Sequence, residues 1–166
     1  MFRPMRRKQQ ALIQAENEAV LLRNTAGVLA VSGDDGFPYA VPLSYVYVDG
    51  KIYFHCARQG HKLDGIARNE KVSFCVIDQD QVVPETYTTY FRSVIAFGRA
   101  CVLKHPDEKR RALQLLAARY APEDERGRLQ EVEQLFEKIC MVRIDIVHMT
   151  GKEAIELVRE KACRSI

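Results

Sequence analysis

Short apolar runs separated by tight turns are the feature that most constrains how this chain can fold. The first run spans 28–31 and is followed by Gly33 and Gly36, which suit the positive φ angles of a tight turn. A longer run covers 37–48, and the pair Asp49-Gly50 then leads into a third run at 52–56. Asp-Gly is typical of a two-residue hairpin turn, so the pattern predicts three antiparallel strands in a meander.

The second of these runs contains two prolines, Pro38 and Pro42. Proline has no N–H to donate to a neighbouring strand, so within sheets it is confined to edge strands, strand starts and bulges. The run is therefore predicted to be an edge strand, or a bulged strand whose backbone is approached by a ligand.

The rest of the chain alternates between strand-like and helical spacing. Apolar residues recur with helical spacing in five segments, which are 9–23, 61–69, 106–120, 125–138 and 153–159. Further strands are predicted at 72–77, 89–103 and 139–149, with a polar loop over 79–86. The pattern indicates an α+β, mainly β fold in one domain over 1–166, built as a small antiparallel barrel flanked by helices, with a basic arm at 1–8 and a tail from about 153.

Composition argues against several classes of protein. The chain has 166 residues and a formal net charge of +3, which is too small to indicate nucleic-acid binding. No apolar stretch approaches the length of a membrane span, and no signal-peptide core follows the basic N-terminus. The five cysteines are widely spaced without a C-x-x-C pair, which favours free thiols in a reduced, cytoplasmic compartment over disulfides or a zinc site.

The strand-to-helix junction at 53–64 carries the strongest functional signal. An apolar strand gives way to a turn at Gly60, and His61 and Lys62 stand where the helical pattern begins. The free N–H groups of a helix's first turn and the helix dipole both favour an anion there. Lys62 adds a charge suited to a phosphate, so the junction predicts an anion site. The alternative is an ordinary turn with exposed basic residues.

Two further residues are candidates for a site, His55 and Arg92. His55 ends the strand beside the predicted anion site, where His61 permits a functional pair, although such a histidine is also common as a structural residue. A zinc site from His55, Cys56 and His61 is disfavoured, because adjacent strand residues point to opposite faces. Arg92 lies on an otherwise apolar strand face. It is predicted either to bind a ligand phosphate or to point outward into solvent.

Five stretches of the chain stand in an order that is typical of one protein family. They are 33–45, 52–57, 60–62, 90–100 and 150–152. Together they resemble the pyridoxamine 5′-phosphate oxidase-like flavoproteins, and within them the nitroimidazole-resistance branch. The resemblance runs from about Arg6 to Lys152 and implies a split β-barrel that works as a homodimer, with FMN in the groove between the subunits.

The resemblance also implies roles for individual residues. In one subunit, the cofactor would lie along the strand residues Val41, Pro42, Leu43, Ser44 and Tyr45 and beside the strand end at His55 and Cys56. Its phosphate would bind at Gly60, His61 and Lys62. The partner subunit would supply Tyr90, Arg92 and Ser93 from a second strand. His55 matches a histidine near the flavin in the resistance branch, which implies a catalytic, substrate-side role.

No nucleophile elbow, Walker loop, zinc-protease helix or dinucleotide-binding glycine fingerprint appears in the sequence. A flavin carries its own redox chemistry, so the resemblance implies an FMN-dependent oxidoreductase that reduces a small acceptor such as a nitroaromatic. Two alternatives stay open: a flavin- or haem-binding protein of the same fold without turnover, and a barrel whose basic turns only face water. A true pyridoxamine phosphate oxidase is disfavoured, because the arginine-rich C-terminal segment associated with that activity is not evident in 152–166.

Overall fold

The computed structural model describes residues 1–164 and, within them, one curled sheet of seven antiparallel strands. The strands are β1 (Ala26–Ser32), β2 (Pro38–Ser44), β3 (Val46–Val48), β4 (Lys51–Ala57), β5 (Lys71–Val83), β6 (Thr88–Val102) and β7 (Ile139–Glu153). Their order across the sheet is β2-β1-β5-β6-β7-β4-β3. The two edge strands, β2 and β3, are thus neighbours in the chain.

Tyr45 is the corner that joins these two edges. Its ring is fully buried, it packs edge-on against Phe74 with 5.0 Å between ring centroids, and its hydroxyl donates to the Leu21 carbonyl at 2.8 Å. The chain therefore crosses from one edge of the sheet to the other at Tyr45, and β2 comes into contact with β4. The sheet closes into a split barrel. The predicted meander is wrong at this point, because β2 and β3 pair with different neighbours.

The described residues contain five α-helices around the sheet. They are α1 (Gln14–Arg23), α2 (His61–Arg68), α3 (Pro106–Tyr120), α4 (Glu125–Leu135) and α5 (Ile155–Arg164). One apolar core fills the barrel and includes Leu29, Phe54 and Phe74. A second core, which includes Leu113 and Met141, lies where α3 and α4 pack against the barrel. The prediction of a mainly β barrel flanked by helices is confirmed.

The predicted loop at 79–86 is wrong. β5 continues to Val83 and pairs with β6 as a long ribbon, with a bulge between Ile77 and Gln79. The ribbon ends in a short 3₁₀ turn and a left-handed residue, Tyr87, whose φ is 51°. Several residues of this ribbon are exposed, so its strands pair through the backbone without a buried apolar face. The sequence there has no apolar pattern from which a strand could be predicted.

The segments before β1 and after β7 are both largely helical. The predicted helix at 9–23 divides into a 3₁₀ turn at Lys8–Gln10 and α1, where the Ile13 N–H donates to the Glu16 carboxylate at 3.1 Å. In the basic arm, the Phe2 ring stacks on His148 with 4.4 Å between ring centroids. The predicted C-terminal helix at 153–159 is confirmed as α5, in which Leu157 is buried. No helix within residues 1–164 is long and apolar enough to span a bilayer.

Candidate functional site

The outer edge of β2 carries backbone groups without a partner strand. The Gly33 N–H donates to the Phe37 carbonyl at 2.9 Å, and the Tyr45 N–H donates to the Thr25 carbonyl at 3.2 Å. Both pairs follow the β1–β2 register, so the odd-numbered residues of β2 hydrogen-bond with β1 and the even-numbered ones point their backbone groups outward. β2 has only β1 as a neighbour in the sheet, which confirms the predicted edge strand.

The prolines of β2 fall on these outward positions. Pro38 and Pro42 are both even-numbered, so each stands where an N–H would meet no strand. The outward N–H groups that remain are those of Ala40 and Ser44, next to the outward carbonyls. Pro42 and Ser44 are exposed, whereas Val41 packs against the barrel core, as does Leu43. A ligand at this edge would meet backbone and small side chains.

Tyr45 differs from the strand that precedes it. Its ring is buried, its hydroxyl is bound to Leu21, and its N–H also donates to the Tyr120 hydroxyl at 3.1 Å. Burial raises the pKa of Tyr45 well above its ordinary value, so the hydroxyl stays a neutral donor. Tyr45 is therefore a structural corner, and its side chain and N–H are already satisfied within the chain.

The junction between β4 and α2 has the geometry of an anion site. Gly60 has a φ of 134°, a conformation that side-chain-bearing residues rarely adopt, although a Cβ there would meet nothing within 4 Å. Its carbonyl accepts from the N–H groups of Leu63 at 2.8 Å and Asp64 at 3.2 Å. The N–H groups of His61 and Lys62 have no acceptor among the described residues. α2 begins at His61, as the sequence predicts.

The two basic side chains of this junction have different surroundings. The His61 ring stacks on Tyr39 with 4.1 Å between ring centroids, and its Nε2 lies 3.4 Å from a carboxylate oxygen of Asp34. Asp34 also accepts from Arg68 at 2.6 Å, and this hydrogen bond is the main reason why the pKa of Asp34 lies below its ordinary value. Lys62 has no carboxylate within ion-pair distance in the described part of the chain. Its charge is uncompensated.

His55 and Cys56 lie on opposite faces of β4. Cys56 is 9% exposed and belongs to the barrel core, where burial raises its pKa against the opposing effect of Lys62. His55 is exposed on the other face and pairs in register with Met141, a residue of the core beside α3 and α4. His61 stacks on Tyr39 on the barrel-core side, and no contact joins it to His55 among the described residues, so a functional His55–His61 pair stays a prediction. Within residues 1–164 no group of three or more His, Cys, Asp or Glu side chains is arranged to bind a metal.

Arg92 belongs to an ion network around two buried carboxylates, which the sequence did not reveal. Its Nε donates to Glu153 at 3.0 Å and its guanidinium contacts Asp78 at 3.2 Å. Arg23 also binds Asp78, and Lys161 binds Glu153 at 2.7 Å. The side chains of Asp78 and Glu153 are 6% and 4% exposed. Arg92 is thus not an outward-pointing surface residue, and its predicted role in binding a ligand phosphate stays a prediction.

Asp78 shows how strongly this network favours its charges. Burial alone would raise the pKa of Asp78, but hydrogen bonds from Arg23, Asn24 and Arg92 outweigh it and hold the pKa below its ordinary value. The neighbours of Arg92 on β6, Tyr90 and Ser93, are half-buried. No side-chain hydrogen bond links either of them to α2 within residues 1–164.

A cavity of about 640 Å³ lies beside the turn between β1 and β2. The residues that line it include Gly33, Ser73, Phe97 and Arg99. None of the predicted cofactor residues lines this cavity. Gly33 nevertheless connects it to the junction, because a Cβ on Gly33 would lie 3.4 Å from Nε2 of His61.

The open backbone edge of β2 and the unpaired N–H groups at the start of α2 thus lie on one split barrel. The sequence model described as pyridoxamine 5′-phosphate oxidase matches residues 14–153. The chain therefore belongs to this family. No curated protein matches the sequence.

Solved structures with the same fold come from several bacteria. A candidate 5-nitroimidazole antibiotic resistance protein from Bacteroides thetaiotaomicron has 20% identity and a TM-score of 0.73, over 86% of each chain. A FAD-binding protein from Mesorhizobium loti has 29% identity and a TM-score of 0.64, over 87% of this chain and 97% of that one. A FAD- and haem-binding protein from Mycobacterium smegmatis has 20% identity and a TM-score of 0.73, over 88% of this chain and 73% of that one.

Proposed function

We propose that this chain binds a flavin phosphate, FMN, with the phosphate at the N-terminus of α2. The observation that carries the proposal is the set of unsatisfied groups at Gly60–Lys62: the two free N–H groups, the positive end of the helix dipole and the uncompensated ammonium of Lys62. These groups favour an anion with several acceptor oxygens. A phosphate has that chemistry.

The open edge of β2 suits the other end of the same ligand. A flavin ring presents carbonyl oxygens and a ring N–H along one side, and the outward groups of β2 are N–H groups at Ala40 and Ser44 and carbonyls between them. Pro42 adds no competing donor there. The ring is therefore proposed to lie along Val41–Ser44, held through the backbone. Tyr45, Cys56 and Arg92 are not retained in this site.

A second copy of the chain is proposed to complete the site. The β5–β6 ribbon exposes Val82 at 69% and Tyr87 at 98%, and the outer face of the sheet exposes Ile77 at 62% and Ile95 at 40%. An isolated two-stranded ribbon is marginally stable in water, and apolar surface of this kind marks an interaction site. In the homodimer, Tyr90 and Ser93 of one copy are proposed to reach the flavin of the other.

The proposed activity is that of an oxidoreductase acting on a small acceptor, for which the nitroimidazole-resistance name of one neighbour suggests a nitroaromatic. The flavin, when bound, supplies the electron transfer, and the chain binds it and excludes competing reactions. His55 is proposed on the substrate side. The FAD- and haem-binding neighbour supports the alternative of a cofactor-binding protein without turnover. The free cysteines suit a reduced compartment, and a cytoplasmic location stays a prediction.

The test is the visible spectrum of the purified protein before and after denaturation, with the released cofactor identified by mass. FMN released in about equal amount to the chain supports the site, and turnover of nitroaromatic substrates by wild type and His55→Ala then tests the activity. Released FAD or a haem band moves the assignment to the alternative. A colourless protein that takes up no added FMN contradicts the proposal.

A further inference from the structure

Two cysteines face each other inside the barrel. Cys56 on β4 and Cys140 on β7 are register partners. Directly opposite residues of an antiparallel pair place their side chains on the same face. Cys56 is buried in the barrel core, and the half-buried Cys140 packs against that core.

The register also fixes the backbone distance between them. The Ile146 N–H donates to the Gly50 carbonyl at 3.1 Å in the same β4–β7 register, so hydrogen-bonded pairs fall on the even-numbered residues of β4, including Cys56. The Cα atoms of such a pair are about 5.5 Å apart. Disulfides span roughly 4.4–6.8 Å between Cα atoms, so the pair lies within reach of a bond.

The other cysteines on strands have no such partner. Cys75 faces Val28 on one side and Ile95 on the other, and Cys101 faces Arg143. The juxtaposition of Cys56 with Cys140 is therefore particular to one point of the sheet. That point lies just before the Gly60 turn.

We propose that Cys56 and Cys140 form a reversible cross-strand disulfide when the protein meets a hydroperoxide. Cys140 is the more accessible of the two and reacts first: its thiolate sulfur attacks a peroxide oxygen, the S–O bond forms, and the O–O bond breaks. The leaving hydroxide takes up the proton that the thiol has lost and becomes water. Cys140 is then a sulfenic acid.

The second step joins the two strands. The Cys56 sulfur attacks the Cys140 sulfur, the S–S bond forms, the S–O bond breaks, and the hydroxyl leaves with the Cys56 proton as water. Two thiols have lost two electrons, and one hydrogen peroxide has become two water molecules. Lys62 acts on Cys56 from the start of α2 and favours its thiolate, although burial opposes ionisation more strongly. Cys56 is therefore the resolving thiol.

The bond is expected to be easily reduced. Directly opposite β-carbons are about 4.5–5.5 Å apart, whereas a disulfide holds them at roughly 3.8 Å, so closing it draws the two strands together. Disulfides strained in this way are the labile ones, which a dithiol reduces readily. The pair is thus suited to reversible oxidation rather than to permanent stabilisation.

The test treats the purified full chain with hydrogen peroxide, blocks the remaining thiols with an alkylating reagent after denaturation, and maps the peptides by mass. Of the five thiols, two are expected to escape alkylation. The intact mass should fall by two hydrogen atoms, one linked peptide pair should contain Cys56 and Cys140, and dithiothreitol should restore all five thiols. Cys101→Ser is expected to keep the link, and Cys140→Ser to abolish it.

The wild-type map alone decides the outcome, so the folding of the variants does not limit the test. Five alkylated thiols after peroxide treatment would overturn the proposal. Oxygen addition to single cysteines without a link would also overturn it, as would a link that joins other cysteines, such as Cys163 of two chains.

Discussion

Two cationic regions of this protein look alike in the sequence and differ in the structure. Lys62 at the start of α2 has no carboxylate within ion-pair distance in residues 1–164. Arg92 on β6 binds two carboxylates, Asp78 and Glu153, that are 6% and 4% exposed. The charge of Lys62 is therefore free to bind a ligand, whereas the charge of Arg92 stabilises the fold by pairing with two carboxylates.

The backbone shows the same difference. Next to Lys62, helix N–H groups and the outer edge of β2 lack partners, while around Arg92 the strands β5, β6 and β7 are paired. Unsatisfied polar groups cost stability unless water or a ligand meets them. The proposed site and the structural network therefore differ in whether their polar groups have partners within the chain, and not in the type of residue.

The largest expected effect is on folding. Arg92→Met leaves Asp78 and Glu153 buried with fewer partners, and breaking such a network is costly. We expect a loss of about 3 kcal/mol in the free energy of unfolding, measured by urea denaturation. The matched substitution Lys62→Met is expected to change it by less than about 0.5 kcal/mol. Equal effects of the two substitutions would remove the distinction.

The next largest expected effect is the loss of stability caused by proline substitutions in β2, which test its open edge. Val41→Pro removes an N–H that points to β1, whereas Ala40→Pro removes one that points outward. After the loss of the valine side chain is subtracted with Val41→Ala, the first proline is expected to cost about 2 kcal/mol more stability than the second. Thermal or urea unfolding of the three variants measures this. A reversed order would show that the outward groups of β2 are paired.

A smaller effect on stability is expected from a substitution at Gly60. A side chain there strains a backbone with a φ of 134°, which costs about 1 kcal/mol and disturbs the first turn of α2. Gly60→Ala is therefore expected to weaken FMN binding strongly, as measured by quenching of flavin fluorescence. Gly50→Ala, at another glycine with positive φ, is the control and should lose stability without losing FMN. Loss of binding in both variants would point to general misfolding.

The smallest expected effect is a loss of stability at low pH. The pKa of Asp78 is lower in the folded protein than in the unfolded chain, so its contribution is complete above the unfolded value of about 4 and is lost as the pH falls through the folded value. The free energy of unfolding should therefore fall below about pH 4 in wild type and fall less in Asp78→Asn. Parallel pH profiles for the two proteins would contradict the assignment.

Local chemistry made part of this structure predictable. Pro38 and Pro42 indicated an edge strand because the missing N–H is a property of each proline, and Gly60 with Lys62 indicated a helix start that suits an anion. These features depend on a few neighbouring residues. The barrel and its helices follow from apolar periodicity in the same way.

Contacts between distant residues were not predictable. Tyr45 divides one apolar run into two edge strands because its side chain contacts Leu21 and Phe74. Neither contact can be predicted from the residues next to Tyr45 in the sequence. Arg92 meets Glu153, which is 61 positions away. Which face of a strand carries an uncompensated charge depends on such partners. The sequence could therefore name Arg92 and Lys62 as cations without telling which one is free.

The most direct test of the proposed site compares FMN with riboflavin, which lacks the phosphate, in titrations of wild-type apoprotein and Lys62→Ala. The wild type should bind FMN more tightly than riboflavin. Lys62→Ala should weaken FMN binding by roughly 10-fold or more, as expected for a charge-assisted hydrogen bond, and leave riboflavin binding unchanged. Unchanged FMN affinity in Lys62→Ala, or equal loss for both ligands, would contradict a phosphate site at the start of α2.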